Sequence, residues 1–486
     1  MKTVFVNGPF LPMFSRESRS PAVTKSGTLY YPAWLAYACG YLEKNGHEAS
    51  LIDCIADKLN FDESVNSVCR QNPDLVVIGT TTPSIEADAN FAKAIKEKCK
   101  SVLICLVGPH ASSTPLETLT NYPWVDMIAR REYDLTILEV VNRIQSGQSF
   151  YDCLGLSLRD GENFIQNEDR EYLEDLDDLP FASEIYKKHL NISSYYYGHV
   201  KFPMVSIFTS RGCNAKCTYC VYPQTMFGKF RSRSAANIAA EFKWIRENLP
   251  EVKEILIDDD TFTMKFAHAR DVANELIKIG NKIPWTCEVR ATLDFETLRL
   301  MKKAGCRLVV VGFETVNQTI LDNIKKGIVQ TNAEKFVKDA KKARIKIHGC
   351  FMAGNPGDTL ETLNETLKWA ISKNFDTAQF FPLQVYPGTA AYEEQSNLGL
   401  LKKQPYRMWV TKDGMHNMTM IESDTGLTET QIRDFCDSAR RQFYLRPAYI
   451  LKKCLDIFYD PDEFKKNVKG FINIRKHLFN RNSECA

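Results

Sequence analysis

No run of eighteen or more apolar residues occurs in the chain, so no transmembrane helix is expected. Neither sign of charge dominates: 62 Lys and Arg stand against 60 Asp and Glu, a net charge of +2. That balance points neither to a nucleic-acid partner nor to an acidic tail. The opening residues, MKTVFVNGPFLP, lack a basic region followed by an apolar core of signal-peptide length, and read as a buried first strand. Internal repeats and low-complexity segments are absent too. Cysteine, by contrast, is plentiful, at fifteen residues. Nine sit singly in apolar segments such as SVLICLVG (Cys105) and IKIHGCFMAG (Cys350), where they read as small buried hydrophobes. An odd total with no signal argues against a disulfide framework and for a reducing, cytoplasmic setting.

A length of 486 residues suits two to four domains. Residues 1–150 alternate apolar strands (KTVFVNGP, HEASLIDC, DLVVIGTT, VLICLVGP, DMIARRE) with helical stretches. This pitch predicts βαβ units and a doubly wound, Rossmann-like α/β sheet, with ligands beyond the carboxyl ends of its strands. The turns there are NGPF, GTTTPS and GPHASSTP. Residues 151–190, with the acidic LEDLDDLPF (Leu173 to Phe181), read as a linker. From 191 to 400 six strand–helix units follow: MVSIFTSR, EILIDDDTF, WTCEVRA, LVVVGFET, KIHGCFMAG and TAQFFPLQVYPGT are the strands. They suit a partial (βα)6 barrel, whose functional residues belong at the strands' carboxyl ends. Residues 401–486 read as a helical, aromatic-rich region that caps the open side of the barrel. Its basic end reads as a solvated helical face.

Three cysteines crowd the loop after the first barrel strand, RGCNAKCTYCVYP (Arg211 to Pro223). Their spacing is Cys213-x3-Cys217-x2-Cys220. Thiolates suit zinc or iron–sulfur, but a zinc ribbon needs a second Cys-x2-Cys pair. Cys287 and Cys306 are single. Three thiolates on a four-iron, four-sulfur cube leave one iron without a protein ligand, open to a substrate or cosubstrate.

This spacing, with an aromatic residue (Tyr219) before the third cysteine, resembles the motif of the radical S-adenosylmethionine (SAM) superfamily. The resemblance implies a [4Fe-4S] cluster on Cys213, Cys217 and Cys220. It also implies SAM chelated at the open iron, reductive cleavage of SAM, and hydrogen abstraction from substrate. SAM contacts are then expected from Asp259 and Asp260 in IDDDTF, Glu288 and Arg290 in WTCEVRA, and Glu314 in VGFET. AGNPGDT (Ala353 to Thr359) and YPGT (Tyr386 to Thr389) resemble turns that admit adenine. Solvated aspartates or an inward salt bridge are the alternatives.

A doubly wound domain ahead of such a barrel, with GPH after one strand and REYD (Arg131 to Asp134) after the next, resembles the cobalamin-binding radical SAM enzymes over residues 1–400. The resemblance implies a cobalamin held by Asn7, Thr81, Ser84, Gly108 and His110. The Asp-x-His-x-x-Gly motif that gives some corrinoids a histidine ligand is missing; His47, the nearest match, has Asn45 and Ser50 around it. A scaffold domain is the alternative. YPQTMFGKFRSRS, DDDTFT and NIKKG resemble the hopanoid-modifying enzymes of this branch. Three activities remain open. They are methyl transfer to an unactivated carbon, radical rearrangement, ring contraction or dehydration of a sugar, polyol or lipid, and a non-catalytic corrinoid or iron–sulfur carrier. The electron donor implied is a flavodoxin or ferredoxin.

Overall fold

The five apolar segments that open the chain form parallel strands: β1 (Lys2–Asn7), β2 (Glu48–Asp53), β3 (Leu75–Gly79), β4 (Leu103–Val107) and β5 (Met127–Ala129). They belong to a computed structural model that describes residues 1–420 and 422–479. The spatial order is β2-β1-β3-β4-β5. The winding therefore reverses beside β1, and the crevice of this sheet lies at the ends of β1 and β3. Val4, Val6, Val76 and Ile78 enter one buried cluster, while Phe5, Val77 and Cys105 enter another on the opposite face. Burial on both faces is why these strands read as unbroken apolar runs.

The sheet continues past residue 150. β6 (Leu156–Asp160) and β7 (Asn163–Gln166) add an antiparallel hairpin at its edge, within the stretch expected to be a linker. LSLRD and NFIQ are too short and polar to show a period; the Asp160-Gly161 turn is the one signal of a hairpin there.

The helix Ala33–Lys44 joins the two domains. All ten residues from Ala33 to Leu42 are buried, because β-sheet covers one side and the barrel the other. Trp34 packs on Phe208 and Phe227, and Tyr31 stacks on Tyr186 and Tyr195. One apolar core thus runs through both domains.

The second sheet is the expected partial barrel. Its strands are β8 (Met204–Ile207), β11 (Glu254–Ile257), β12 (Trp285–Val289), β13 (Cys306–Glu314), β14 (Lys346–Ala353) and β15 (Thr377–Pro382); a two-stranded ribbon, β9 (Ser210–Arg211) with β10 (Arg231–Ser232), follows β8. Strand order is β15-β14-β13-β12-β11-β8, all parallel and unclosed. Among the described residues of 401–428 the helical structure is one short 3₁₀ turn, Tyr406–Trp409, so the helical region begins at Glu429 and not at 401. Three helices follow: Glu429–Tyr444, Pro447–Tyr459 and Pro461–Phe479. The first and last of them together span the open edges. Lys469 sits over Tyr196 and Phe202, just ahead of β8, while the helix beside it, Glu429–Tyr444, bonds β15 through Tyr444 Oη to the Ala378 carbonyl (2.8 Å). At the barrel floor, buried Glu463 of this last helix pairs with Arg307 (3.0 Å) and Lys346 (3.1 Å).

Candidate functional site

Both domains shape the cysteine loop. Arg211, directly before it, is fully buried and pairs with Asp134 (2.7 Å) and Glu132 (3.2 Å) of the first domain. Its guanidinium lies 5.2 Å from the Trp34 ring and 5.3 Å from Tyr37. Glu132 also holds Arg231 on the partner strand of the ribbon. The REYD stretch therefore acts through these pairs. Gly212 follows with φ of +82°, and a Cβ there would meet the Lys229 carbonyl at 2.4 Å, so only glycine turns this corner. On the far side, Gln224 Nε2 donates to the carbonyls of Cys217 (3.3 Å), Thr218 (3.2 Å) and Cys220 (2.7 Å). Thr218 N donates to the Ile324 carbonyl (3.1 Å).

The donor set fits the cluster. Among the described residues, the three thiol sulfurs do not all lie within 4.8 Å of one another. Thiolates around a single tetrahedral zinc, at about 2.3 Å each, stand about 3.8 Å apart. The wider spread of a soft donor set suits an iron–sulfur cube. Burial pushes the Cys213 and Cys220 thiols up, so it is metal binding that must deprotonate them.

The expected SAM residues divide. Asp260, Glu288, Arg290 and Glu314 line one cavity with Cys213, Cys217, Tyr219 and Cys220. Asp259 does not. It is wholly buried, accepting from Thr209 N (2.6 Å), Thr209 Oγ1 (2.5 Å), Ser210 N (3.1 Å) and Ser210 Oγ (2.7 Å). It ties the end of β11 to the start of the cysteine loop, because three successive aspartates at a strand end cannot all face one way. Burial raises it to about 6 against those four bonds.

Glu314 is the strained member. Its φ is +63°, a left-handed conformation costly for a residue with a side chain. The register of β13 against β14 shifts between Gly312 and Glu314. The carboxylate folds back over Gly312, where a Cβ would meet Glu314 Oε1 at 2.5 Å. Oε1 accepts from Lys326 Nζ (2.6 Å) and Tyr219 Oη (3.0 Å), while Oε2 is buried with no partner. A buried acceptor aimed at a cavity calls for a hydroxyl donor, which fits the ribose of SAM. Arg290 donates to the Lys326 and Gly327 carbonyls.

Sequence reasoning missed Arg19. It reaches from the first domain to Glu288 (2.9 Å), to Asp258 (3.5 Å) and to the Asp259 carbonyl (2.7 Å). Burial pushes Glu288 up to about 8, with Arg19 opposing. No period or spacing marks an arginine in ESRSP; only the fold brings it there. Ser20 next to it bonds Tyr386 Oη (3.1 Å) and His416 Nε2 (2.8 Å).

The five residues expected at the corrinoid stand at the strand ends, where the side chains bond within their own domain and His110 also packs on the stretch 401–428. Asn7 donates to Asp53 (2.8 Å) and accepts from Arg16 (2.8 Å); Ser84 bonds Asp88 (2.6 Å) and Thr81 (3.0 Å). Gly108 leads into the short helix Pro109–Ser113. His110 is buried against Thr82 (3.2 Å) and edge-on to Tyr406; burial holds it neutral, down to about 3. None of the five lines the cavity. The space lies instead between the domains, where Ser18, Arg19, Ser20, Val23 and Thr24 face the barrel. At about 1160 Å³ it exceeds the roughly 300–1,000 Å³ of a single small-ligand site, room for more than one small ligand. The first-domain residues that line this cavity come from the loop 18–28 and Tyr30.

Residues 207–370 match the model of the radical SAM superfamily, and residues 19–141 that of the B12 binding domain. An uncharacterized methyltransferase of Pyrococcus horikoshii, PH0819, is 30% identical over 451 residues, covering 92% of this chain and 95% of its own. The anaerobic magnesium-protoporphyrin IX monomethyl ester cyclase of Cereibacter sphaeroides is 24% identical, over 86% of this chain and 67% of its own. The structure of TsrM from Kitasatospora setae with cobalamin and [4Fe-4S] cluster bound superposes with a TM-score of 0.71 at 15% identity, covering 92% and 89%; that likeness is one of fold. No described helix is long and apolar enough to cross a membrane. Three thiols spread for a cube, an unsatisfied carboxylate beside them, a cavity shared with a doubly wound domain and these matches agree: the chain belongs to the radical SAM superfamily, in the branch whose barrel follows a B12-binding domain, and its cofactors are a [4Fe-4S] cluster, SAM and cobalamin.

Proposed function

We propose that the protein is a methyltransferase that places a methyl group on an unactivated carbon of a small molecule. The observation that carries this reading is the one cavity lined by the three cysteines, by Asp260, Glu288 and Glu314, and by the first-domain loop 18–24. Methyl source, radical source and substrate share one chamber there. When bound, the cluster and SAM supply the radical and cobalamin supplies the methyl carrier. The chain's own work is positional. Cys213, Cys217 and Cys220 hold the cluster; Arg290 and Glu314 orient SAM, with Lys326 fixing the Glu314 carboxylate. Arg19 neutralises Glu288 and Asp258. The aromatic packing of Trp34 on Phe208 and Phe227 holds the first domain against the barrel.

A second reading, radical rearrangement or ring formation without methyl transfer, is favoured by the cyclase relative. The YPQT and NIKKG likeness to hopanoid enzymes does not choose between the two. Gln224 serves the cluster loop and Lys326 serves Glu314, so these motifs report on cofactors and not on substrate. We place the enzyme in a reducing cytoplasm, drawing electrons from a flavodoxin or ferredoxin, with a lipid or sugar-like substrate.

Anaerobic reconstitution with iron, sulfide and hydroxocobalamin, then removal of free corrinoid, tests the reading. Stoichiometric cobalamin, with S-adenosylhomocysteine and 5′-deoxyadenosine both formed under reduction, is expected. Cluster absorption without cobalamin would turn the assignment to rearrangement. Cys217→Ala should lose deoxyadenosine formation altogether.

A further inference from the structure

Eight of the sixteen exposed large hydrophobics of the described residues fall on one hairpin, and the others are spread over the rest of the chain. On the helical hairpin Pro447–Tyr459 and Pro461–Phe479, Leu451 is 63% exposed, Phe458 79% and Tyr459 85%. Leu455 joins them one turn after Leu451, and Val468, Phe471 and Ile472 are exposed on the second helix. Scattered single hydrophobes are ordinary, but contiguous ones mark an interaction face. The exposed positions 451, 455 and 459 recur at four-residue spacing, which makes one stripe of the first helix.

Charge accompanies it. Residues 447–479 contain seven Lys and Arg against four Asp and Glu, whereas the whole chain nets only +2. Lys452, Lys465 and Arg475 are exposed beside the apolar residues. Glu463 and Lys466, one of the four acids and one of the seven cations, are buried together, which leaves the cations of this segment still twice the acids. Bulky apolar side chains bordered by exposed cations are the composition of a helix lying in a bilayer interface, with anionic headgroups facing the cations. A protein-binding face would instead be depleted of lysine.

The face is also continuous with the cavity. Ile450 and Val468 are exposed and line the cavity at the same time, as does Cys454. Inward from them the lining is Tyr449, Phe464, Phe380, Phe381 and Met415. The hairpin is held rigidly enough to be part of the wall: Tyr449 Oη bonds the Asp376 carbonyl (2.8 Å), Lys201 pairs with Asp460 (2.7 Å), and Asn473 bonds the Ser26 carbonyl (2.8 Å).

We propose that this hairpin docks on an anionic bilayer surface and that the cavity draws an apolar or amphiphilic substrate from that surface. The proposal deepens the reading of the cavity as the substrate chamber, and its test does not depend on activity. The full-length reconstituted protein is sedimented with vesicles of equal parts phosphatidylglycerol and phosphatidylcholine, with pure phosphatidylcholine vesicles, and alone. Binding to the anionic vesicles is expected, weakened at least tenfold by raised salt or by neutral lipid. Phe458→Asp with Tyr459→Asp, at solvent-facing positions, should lower it at least tenfold with an unchanged circular dichroism spectrum and full cluster content. Absence of vesicle binding, or equal binding by the variant, would overturn the proposal. So would a dimer in light scattering that the variant dissolves, since the face would then cover a second copy of the chain.

Discussion

Glu314 concentrates the demands made on one residue. It holds a left-handed backbone, a lysine and a tyrosine on one oxygen, and nothing on the other. Glu314→Gln replaces one carboxylate oxygen by an amide donor and should weaken SAM binding about ten- to a hundredfold, or about 1.4–2.8 kcal/mol, as read by equilibrium dialysis. Gly312→Ala should do the same without touching SAM chemistry, because its methyl group would meet Oε1. Equal affinity in both variants would remove this carboxylate from the SAM site. His110 gives a pH signature. Its folded value is about 3 against about 6.5 when unfolded. As pH falls below 6.5 the unfolded chain takes up a proton that the folded chain refuses, so the stability contributed by neutral His110 is lost on acidification. Relative to His110→Gln, the wild type should lose about 2 kcal/mol between pH 7.5 and 5, measured by urea unfolding. At this scale the shared loop of the three cysteines was legible from their spacing, and the cavity-lining position of Glu314 from its place after an apolar strand. Asp259 was misplaced, because adjacent positions at a strand end look alike in sequence while pointing to opposite sides.

The element that matters most is the cysteine loop. Arg211 and Arg231 clamp its base onto Glu132 and Asp134, and Gln224 clamps its far side. Arg211→Met leaves two buried carboxylates short of a partner and should cost about 3–5 kcal/mol. A lowered melting temperature and substoichiometric iron after reconstitution check this. Asp134→Asn on the other domain should lower iron content in the same direction, though less; full cluster content in both variants would show that the loop holds its shape unaided. Strand periodicity made most elements readable: β1, β3 and β8 lie where the apolar runs put them. The β6–β7 hairpin and the irregular stretch 401–428 were not readable. One is short and polar, and the other takes its shape from the surfaces it covers, as where Tyr406 lies against His110.

Taken whole, the molecule has two sheets but one core. The helix Ala33–Lys44 is apolar on all sides, and its partners come from both domains. Denaturation should therefore show one transition, with far-ultraviolet circular dichroism and tryptophan fluorescence coincident. Residues 1–190 expressed alone should aggregate, since Trp34 and Tyr37 would lose Phe208 and Phe227. Two separate transitions would show the domains to be independent. The two-domain plan was visible from the alternation of strands and helices; the shared chamber was not, because its key contact, Arg19 to Glu288, joins residues 269 positions apart.

The clamp on Arg211 also sets a chronology for biogenesis. Glu132 and Asp134 leave the ribosome before the loop they hold, yet they meet it only once the barrel has closed upon the first domain. The clamp therefore predicts that iron and sulfide enter last, into a chain whose two domains have already docked; a chain refolded with and without iron and sulfide should acquire its tertiary structure at the same rate in both.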